Sequence, residues 1–175
     1  MSQLLRLNFR HTLTSLEICA GGGGQAIGLE AAGFEHAAVV EIDRHACATL
    51  RHNRPEWTVL QEDINHFDAS QYRGVDLLAG GLPCPPFSRA GKQLGEDDER
   101  NLWPAALKII EQVEPKAVMF ENVRGILDAV FDDFRTKFAS AKQLKGYKTH
   151  WKLLNACDFG VSQLRPRVVF VAIKE

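Results

Sequence analysis

Short apolar runs alternate with amphipathic stretches along this chain, and the first run, LEICAGGGG (16–24), ends in four consecutive glycines. Glycine lacks the Cβ that excludes left-handed backbone. Such a run between a strand and a helix lets the chain turn sharply and aim helix N–H groups at a ligand. On its own the turn is shared by nicotinamide-, flavin- and nucleotide-binding folds.

The pattern around it predicts strands over 15–19, 37–42, 57–60, 75–79 and 117–120. Helices are expected over 25–32, with Gly33 as the stop, and over 44–53, closed by Pro55. Two more are expected over 101–113, with Pro104 in the first turn, and over 130–144, with apolar residues at 130, 131, 134, 138 and 141. A long Gly/Pro/charged loop runs through Arg100. Two last strands, 148–154 and 167–173, have no helix between them. Strand–helix alternation with continuous apolar strands implies an α/β fold, a Rossmann-like, mostly parallel sheet with helices on both faces. The helix-free last pair adds a C-terminal antiparallel hairpin. With no repeat or linker, residues 1–175 read as one cofactor-binding and catalytic domain.

The charge balance, 21 Lys+Arg against 22 Asp+Glu, argues against a generally basic nucleic-acid binder. It is uneven: 135–167 holds eight Lys/Arg against the single acid Asp158, so part of that stretch is a candidate phosphate contact. No apolar run is long enough to cross a bilayer, and arginines interrupt the N-terminal apolar patch, which makes a poor secretory signal. Cysteines 19, 47, 84 and 157 form no C-x-x-C and have no zinc spacing, so neither disulfides nor a metal are expected, and a cytoplasmic setting is. Cys19, Cys47 and Cys157 read as buried thiols. Cys84 differs, because it stands between prolines in GGLPCPPFS, after the fourth strand.

The remaining polar residues fall at strand tips. Glu41 ends the second strand, placed to accept hydrogen bonds from ribose hydroxyls, and Asp63 follows the third. Glu121 follows four apolar residues at the end of the fifth, where partial burial suits a proton donor. In QLRPR, Arg165 and Arg167 stand two apart and point to one side of an extended segment, suiting an anionic or carbonyl-rich ligand.

LEICAGGGG, VEID, QEDI, GGLPCPPFS, DERNLW, FENVRG and QLRPR, in this order, resemble the motifs of the DNA cytosine-5 methyltransferases across nearly the whole chain. The resemblance implies the class I S-adenosylmethionine-dependent methyltransferase fold. It implies S-adenosylmethionine as cofactor, leaving as S-adenosylhomocysteine, and double-stranded DNA as partner. Cys19, Ala20, Gly21, Gly23 and Gly24 would line the methionine and adenosine, Glu41 would hold the ribose and Asp63 the adenine amine. Ile42, Ile64 and Pro83 would add apolar contacts. Cys84 would be the nucleophile at C6 of a flipped-out cytosine, Glu121 the group at N3, Arg167 the contact to O2, and Arg165 a contact to a phosphate or to the Cys84 loop.

Glu17, Cys19 and Pro85 depart from the residues commonest in the family, Asp, Phe and Gln. The family's target-recognition region and its last two motifs have no counterpart in these 175 residues. That resembles one subunit of a split restriction-modification enzyme, completed by a second polypeptide that carries the recognition region, or a truncated chain. The alternatives are an RNA (tRNA) cytosine-5 methyltransferase, a non-catalytic cofactor-binding scaffold and a nicotinamide dehydrogenase, the last having no use for a Pro-Cys-Pro loop.

Overall fold

The computed structural model describes residues 12–83 and 101–175. Cys84, the rest of its loop through Arg100, and the N-terminal segment 1–11 lie outside the described residues.

Seven strands form a single mixed sheet: β1 (Leu13–Ile18), β2 (Phe34–Glu41), β3 (Val59–Gln61), β4 (Leu77–Gly81), β5 (Ala117–Val123), β6 (Tyr147–Asn155) and β7 (Pro166–Lys174). Their order across the sheet is β3-β2-β1-β4-β5-β7-β6. The pairs from β3 through β5 are parallel, and β7 runs antiparallel to both β5 and β6. The direction of travel therefore reverses beside β1, the switch point at which open α/β sheets gather ligands beyond their strand ends.

Among the described residues four helices cover the sheet: α1 (Gly24–Ala31), α2 (Arg44–Asn53), α3 (Trp103–Val113) and α4 (Asp132–Ala139). Leu29 of α1 packs on Leu77 and Ala79, and Cys47 and Leu50 of α2 pack on Val39. The main core lies on the opposite face. There Ile109 and Ile110 of α3 and Phe134 and Phe138 of α4 meet Leu78, Phe120, Val168 and Phe170. Trp103, at the start of α3, sits edge-on to Phe138 at 4.6 Å and to Phe134 at 5.4 Å. These ring pairs fix α3 against α4.

Three local expectations change. The fifth strand continues three residues further, because β7 pairs with it from Ala117 (with Ile173) to Val123 (with Arg167). Glu121 therefore lies inside a strand and not beyond its end. The helix expected over 130–144 is only the eight residues of α4, with a 3-10 turn on either side. Val130 is 73% exposed, so the apolar stripe begins at Phe131. At the other end Ser140 Oγ donates to the Thr136 carbonyl and Ala141 turns extended, which stops the helix before Leu144. Cys157, expected buried, is exposed on the turn after β6.

Candidate active site

The first four strands deliver their C-terminal ends to one edge, and the glycine turn folds onto that edge. Cys19 and Gly21 both have positive φ, 53° and 54°, and the Gly23 N–H donates to the Ala20 carbonyl at 3.0 Å. Glu41, nearly buried at the end of β2, binds the turn. Its Oε2 accepts from the Gly21 N–H at 2.6 Å, and its Oε1 accepts from the Ile42 and Asp43 N–H groups, both at 2.9 Å. Asp43 then caps α2, accepting from the His45 and Ala46 N–H groups. The VEID segment thus fastens the glycine turn and starts the next helix.

A cavity of about 480 Å³ opens on this edge, lined by Cys19, Glu41, Ile42, Glu62, Asp63, Ile64, Asn65, Gly81, Pro83 and Leu102. Cys19, Glu41, Ile42, Asp63, Ile64 and Pro83 were expected there from sequence. Glu62, Asn65, Gly81 and Leu102 were not, although Glu62 stands inside the QEDI segment itself. Ile42 is 62% exposed and offers its side chain to the opening. Asp63 Oδ1 accepts from the backbone and side-chain nitrogens of Asn65, while Oδ2 has no partner among the described residues.

A second cavity, about 490 Å³, shares Cys19 and Gly81 with the first and adds Ala20, Gly24, Gln25, Met119, Glu121, Arg165 and Val169. Gly21 and Gly23 line neither. Gly21 serves Glu41, and Gly23 (φ 89°) packs so closely on Leu50 that an added Cβ would lie 2.6 Å from its Cδ2. Gly80, one residue past the end predicted for the fourth strand, lies within β4. A Cβ there would come within 2.8 Å of the Ile18 carbonyl oxygen, so glycine lets β4 approach β1.

Arg167 lines neither cavity, but its Nε meets Oε1 of Glu121, a wall of the second, at 2.7 Å, the side chains being 27% and 35% exposed. The pairing follows from register. Arg167 lies opposite Val123, which puts it diagonally beside Glu121 on the same sheet face. The Glu121 carboxylate is therefore held by a guanidinium and is not an acid emerging from a dry core. The Arg165 side chain lines the cavity without a partner among the described residues. Asn122, which the sequence reading passed over, is almost fully buried, and its Nδ2 donates to the Leu82 carbonyl at 3.2 Å. It anchors the chain two residues before Cys84. Its only sequence signal was its place beside the glutamate in FENV.

Cys19 touches both cavities, yet burial, with the nearby Glu41 and Asp63 carboxylates, pushes its thiol up to about 12. It is an inert wall and not a nucleophile. Among the described residues no group of His, Cys, Asp and Glu is arranged to hold a metal, and no helix is long and apolar enough to cross a membrane. Much of the basic 135–167 stretch is already engaged: Arg135 pairs with Asp132, Lys142 with Glu111, Lys148 with Glu175 and Arg167 with Glu121.

A glycine turn fastened by the acid of the next strand, with a cavity at the switch point and an antiparallel β7 beside β5, defines a class I S-adenosylmethionine-dependent methyltransferase fold. The family is narrower than the fold. Residues 13–175 match the family model described as C-5 cytosine-specific DNA methylase, and the chain belongs to that family. It is 59% identical over 161 residues to the Type II methyltransferase M.NgoMIV of Neisseria gonorrhoeae, covering 92% of this chain and 52% of that protein. It is 48% identical to the Type II methyltransferase M.NaeI of Lentzea aerocolonigenes, covering 93% and 40%. Among solved structures, a prophage-encoded E. coli protein assigned as a DNA modification methyltransferase superposes with a TM-score of 0.80 at 29% identity, covering 93% of this chain and 47% of that one. The DNMT2 of Spodoptera frugiperda gives 0.73 at 27%, covering 93% and 50%. The chain thus spans about half the length of the relatives it matches.

Proposed function

We propose that this chain is the catalytic half of a DNA cytosine-5 methyltransferase of a restriction-modification system. The observation that carries the reading is the Glu121–Arg167 pair, whose Glu121 lines, with Arg165, the cavity next to the one that Glu41 and Asp63 line. Asn122 fixes Leu82, two residues before Cys84 in sequence.

The cavity residues fit S-adenosylmethionine. The Asp63 Oδ2, without a partner among the described residues, suits an amine donor, exposed Ile42 suits the face of a flat ring, and the Glu41 carboxylate lines the same cavity and suits ribose hydroxyls. When bound, that cofactor supplies an electrophilic methyl group. The chain's own residues prepare the other reactant. Cytosine C5 is a weak nucleophile, so the Cys84 thiolate adds to C6 and pushes electron density onto C5. Glu121 holds N3 and Arg167, already oriented by Glu121, holds O2, so that charge developing on the ring meets fixed partners. Loss of the C5 proton after methylation expels the thiolate and restores Cys84. Inside a duplex C6 is out of reach, which requires the cytosine to be flipped out. A reducing cytoplasm keeps Cys84 available as a thiol. Target recognition, in this reading, belongs to the portion of the relatives that this chain does not span, supplied by a further segment or by a second polypeptide.

The test is covalent trapping. The chain, alone and together with the remaining half of the enzyme, is incubated with labelled S-adenosylmethionine and duplex DNA carrying 5-fluorocytosine. A stable protein–DNA adduct that disappears in Cys84→Ser is the expected result. Binding of the cofactor without any adduct under either pairing refutes catalysis in favour of a scaffold. Transfer to transfer RNA but not to the duplex refutes DNA as substrate.

A further inference from the structure

Glu17 has no place in the chemistry above, yet it is the most confined acid among the described residues. It lies on β1 with 0% exposure, and neither carboxyl oxygen has a well-formed hydrogen bond, the one donor that acts on it being the Ala26 N–H. It shares a sheet face with Ser15, two residues earlier, where the cover is the first turn of α1. The floor beneath the first turn of α1 is therefore polar, whereas Leu29 further along the helix rests on Leu77 and Ala79.

The groups around Glu17 leave it without a counter-ion. On β2, His36 is committed at both ring nitrogens: Nε2 donates to the Ala26 carbonyl at 3.0 Å and Nδ1 accepts from Ser15 Oγ at 2.8 Å. Its own burial lowers its affinity for a second proton, which keeps it neutral. At the end of β2, Glu41 is occupied by three backbone N–H groups. On α1, Glu30 is tied to Arg54. On β4 the residue opposite Glu17 is Ala79, and Leu77–Gly81 carries nothing that titrates. On β1 itself, the Cys19 thiol stays protonated. An unpaired carboxylate in such a place is costly, and a carboxylic acid is much less so. Burial pushes the Glu17 carboxyl up to about 8, against a small opposing pull from the Ala26 N–H.

We propose that Glu17 is a positioning residue for the glycine turn: as a neutral acid it forms the seat of the first turn of α1, and its ionisation unseats that turn. Geometry gives the consequence. The first turn of α1 carries Gly24 and Gln25, both walls of the second cavity, and Cys19, two residues beyond Glu17, is a wall of both. Ionised Glu17 must draw in water or a donor, and the space for either comes from lifting Ala26. A proton lost from this interior site thus opens the turn that the cofactor would occupy.

The test compares the wild-type chain with Glu17→Gln, which keeps the shape of the neutral acid and does not ionise. Its ligand arm rests on the cofactor reading above. Affinity for S-adenosylhomocysteine is measured by calorimetry from about pH 6 to about pH 9.5. Above about pH 8 the wild-type affinity should fall, approaching tenfold per pH unit, while that of Glu17→Gln stays flat after the ligand's own titration, common to both, is divided out. Wild-type affinity that holds or rises over this range, or a Gln variant that is folded yet binds poorly at neutral pH, would overturn the proposal and make Glu17 a charged counter-ion for the ligand. The second arm needs no ligand. Amide hydrogen exchange of the first turn of α1, corrected for intrinsic rate, should lose protection above about pH 8 in the wild type alone. Protection unchanged through that range would sink the proposal by itself. Should neither protein bind the ligand at any pH, the cofactor reading fails and the exchange arm still decides the role of Glu17.

Discussion

The Gly21 N–H lies 2.6 Å from Glu41 Oε2, so the tip of β2 holds the glycine turn of β1 by a charge-assisted bond. With Ile42 and Asp43 on the other oxygen, three of roughly four acceptor positions of this carboxylate are filled. Shaping the turn is therefore a role for Glu41 in its own right, separate from any contact with a ribose.

Glu41→Ala should consequently damage both stability and binding. Bonds to a charged acceptor contribute about 1.5–3 kcal/mol each where buried. S-adenosylhomocysteine should bind about 10–100-fold more weakly by calorimetry, accompanied by a lower melting temperature. A loss of affinity with unchanged melting would mean that Glu41 contacts ligand only, and that the turn stands without it.

The pair at the other end of the site should show the opposite division. Arg167 and Glu121 are both partly exposed, and an ion pair of that kind contributes about 1 kcal/mol or less to stability. Glu121→Gln keeps shape and hydrogen bonding, so its melting temperature should move little. The rate of adduct formation with 5-fluorocytosine DNA should fall by about 100-fold or more, the usual scale for losing a positioned proton donor or acceptor. Unfolding of the variant in step with lost activity would recast the pair as structural.

The sequence disclosed these partners unequally, for physical reasons. Glu41 was legible because a parallel strand hidden on both faces reads as an unbroken apolar run, and the acid that ends it marks the strand tip; Asp63 was legible as an acid two residues past the short edge strand β3. The same rule misplaced the end of β5. Glu121 and Asn122 interrupt the apolar run, yet pairing with β7 carries the strand through Val123, and such a partner, more than forty residues away, leaves no local signal. The expected 130–144 helix failed similarly: period 3.6 was present in the side chains, but Ala141 is extended, a backbone fact that composition does not carry. Asn122 was missed because a buried side-chain-to-carbonyl bond has no periodicity. The glycines were found and only partly understood, since Gly23 and Gly80 answer to Leu50 and Ile18 and not to a ligand.

Acid should weaken the molecule at the opposite edge of the sheet. Asp76 accepts from the Thr14 backbone N–H at 2.8 Å and its Oγ1 at 3.1 Å, and pairs with Lys116 Nζ at 2.6 Å, tying the start of β1 to the approach to β5. Lys116 and these donors hold its carboxyl down at about 2. A carboxyl depressed in the folded state stabilises the fold above its ordinary value near 3.8 and loses that contribution as pH falls toward 2. Asp76→Asn should therefore lower the melting temperature at neutral pH, with a difference from wild type that narrows below about pH 4. A constant difference down to pH 2 would mean that shape and not charge carries the contribution.

Thiol chemistry separates the cysteines, and it bears on the proposed nucleophile. Cys47 is buried with its Sγ donating to the Glu41 carbonyl, and Cys19 is held near 12, whereas Cys157 is exposed. At pH 8 the thiolate fraction of Cys19 is about one in ten thousand, against about a quarter for an ordinary thiol. Brief iodoacetamide treatment followed by peptide mapping should therefore label Cys157 and spare Cys19 and Cys47 until the chain unfolds. In a Cys157→Ser variant, rapid labelling is left to Cys84 alone. If that labelling persists well below pH 8, Cys84 carries thiolate at neutral pH, as nucleophilic attack on C6 demands. If instead Cys84 labels no faster than a free cysteine at every pH, its activation must await DNA or the further segment proposed above, and adding each in turn will show which one lowers its pKa.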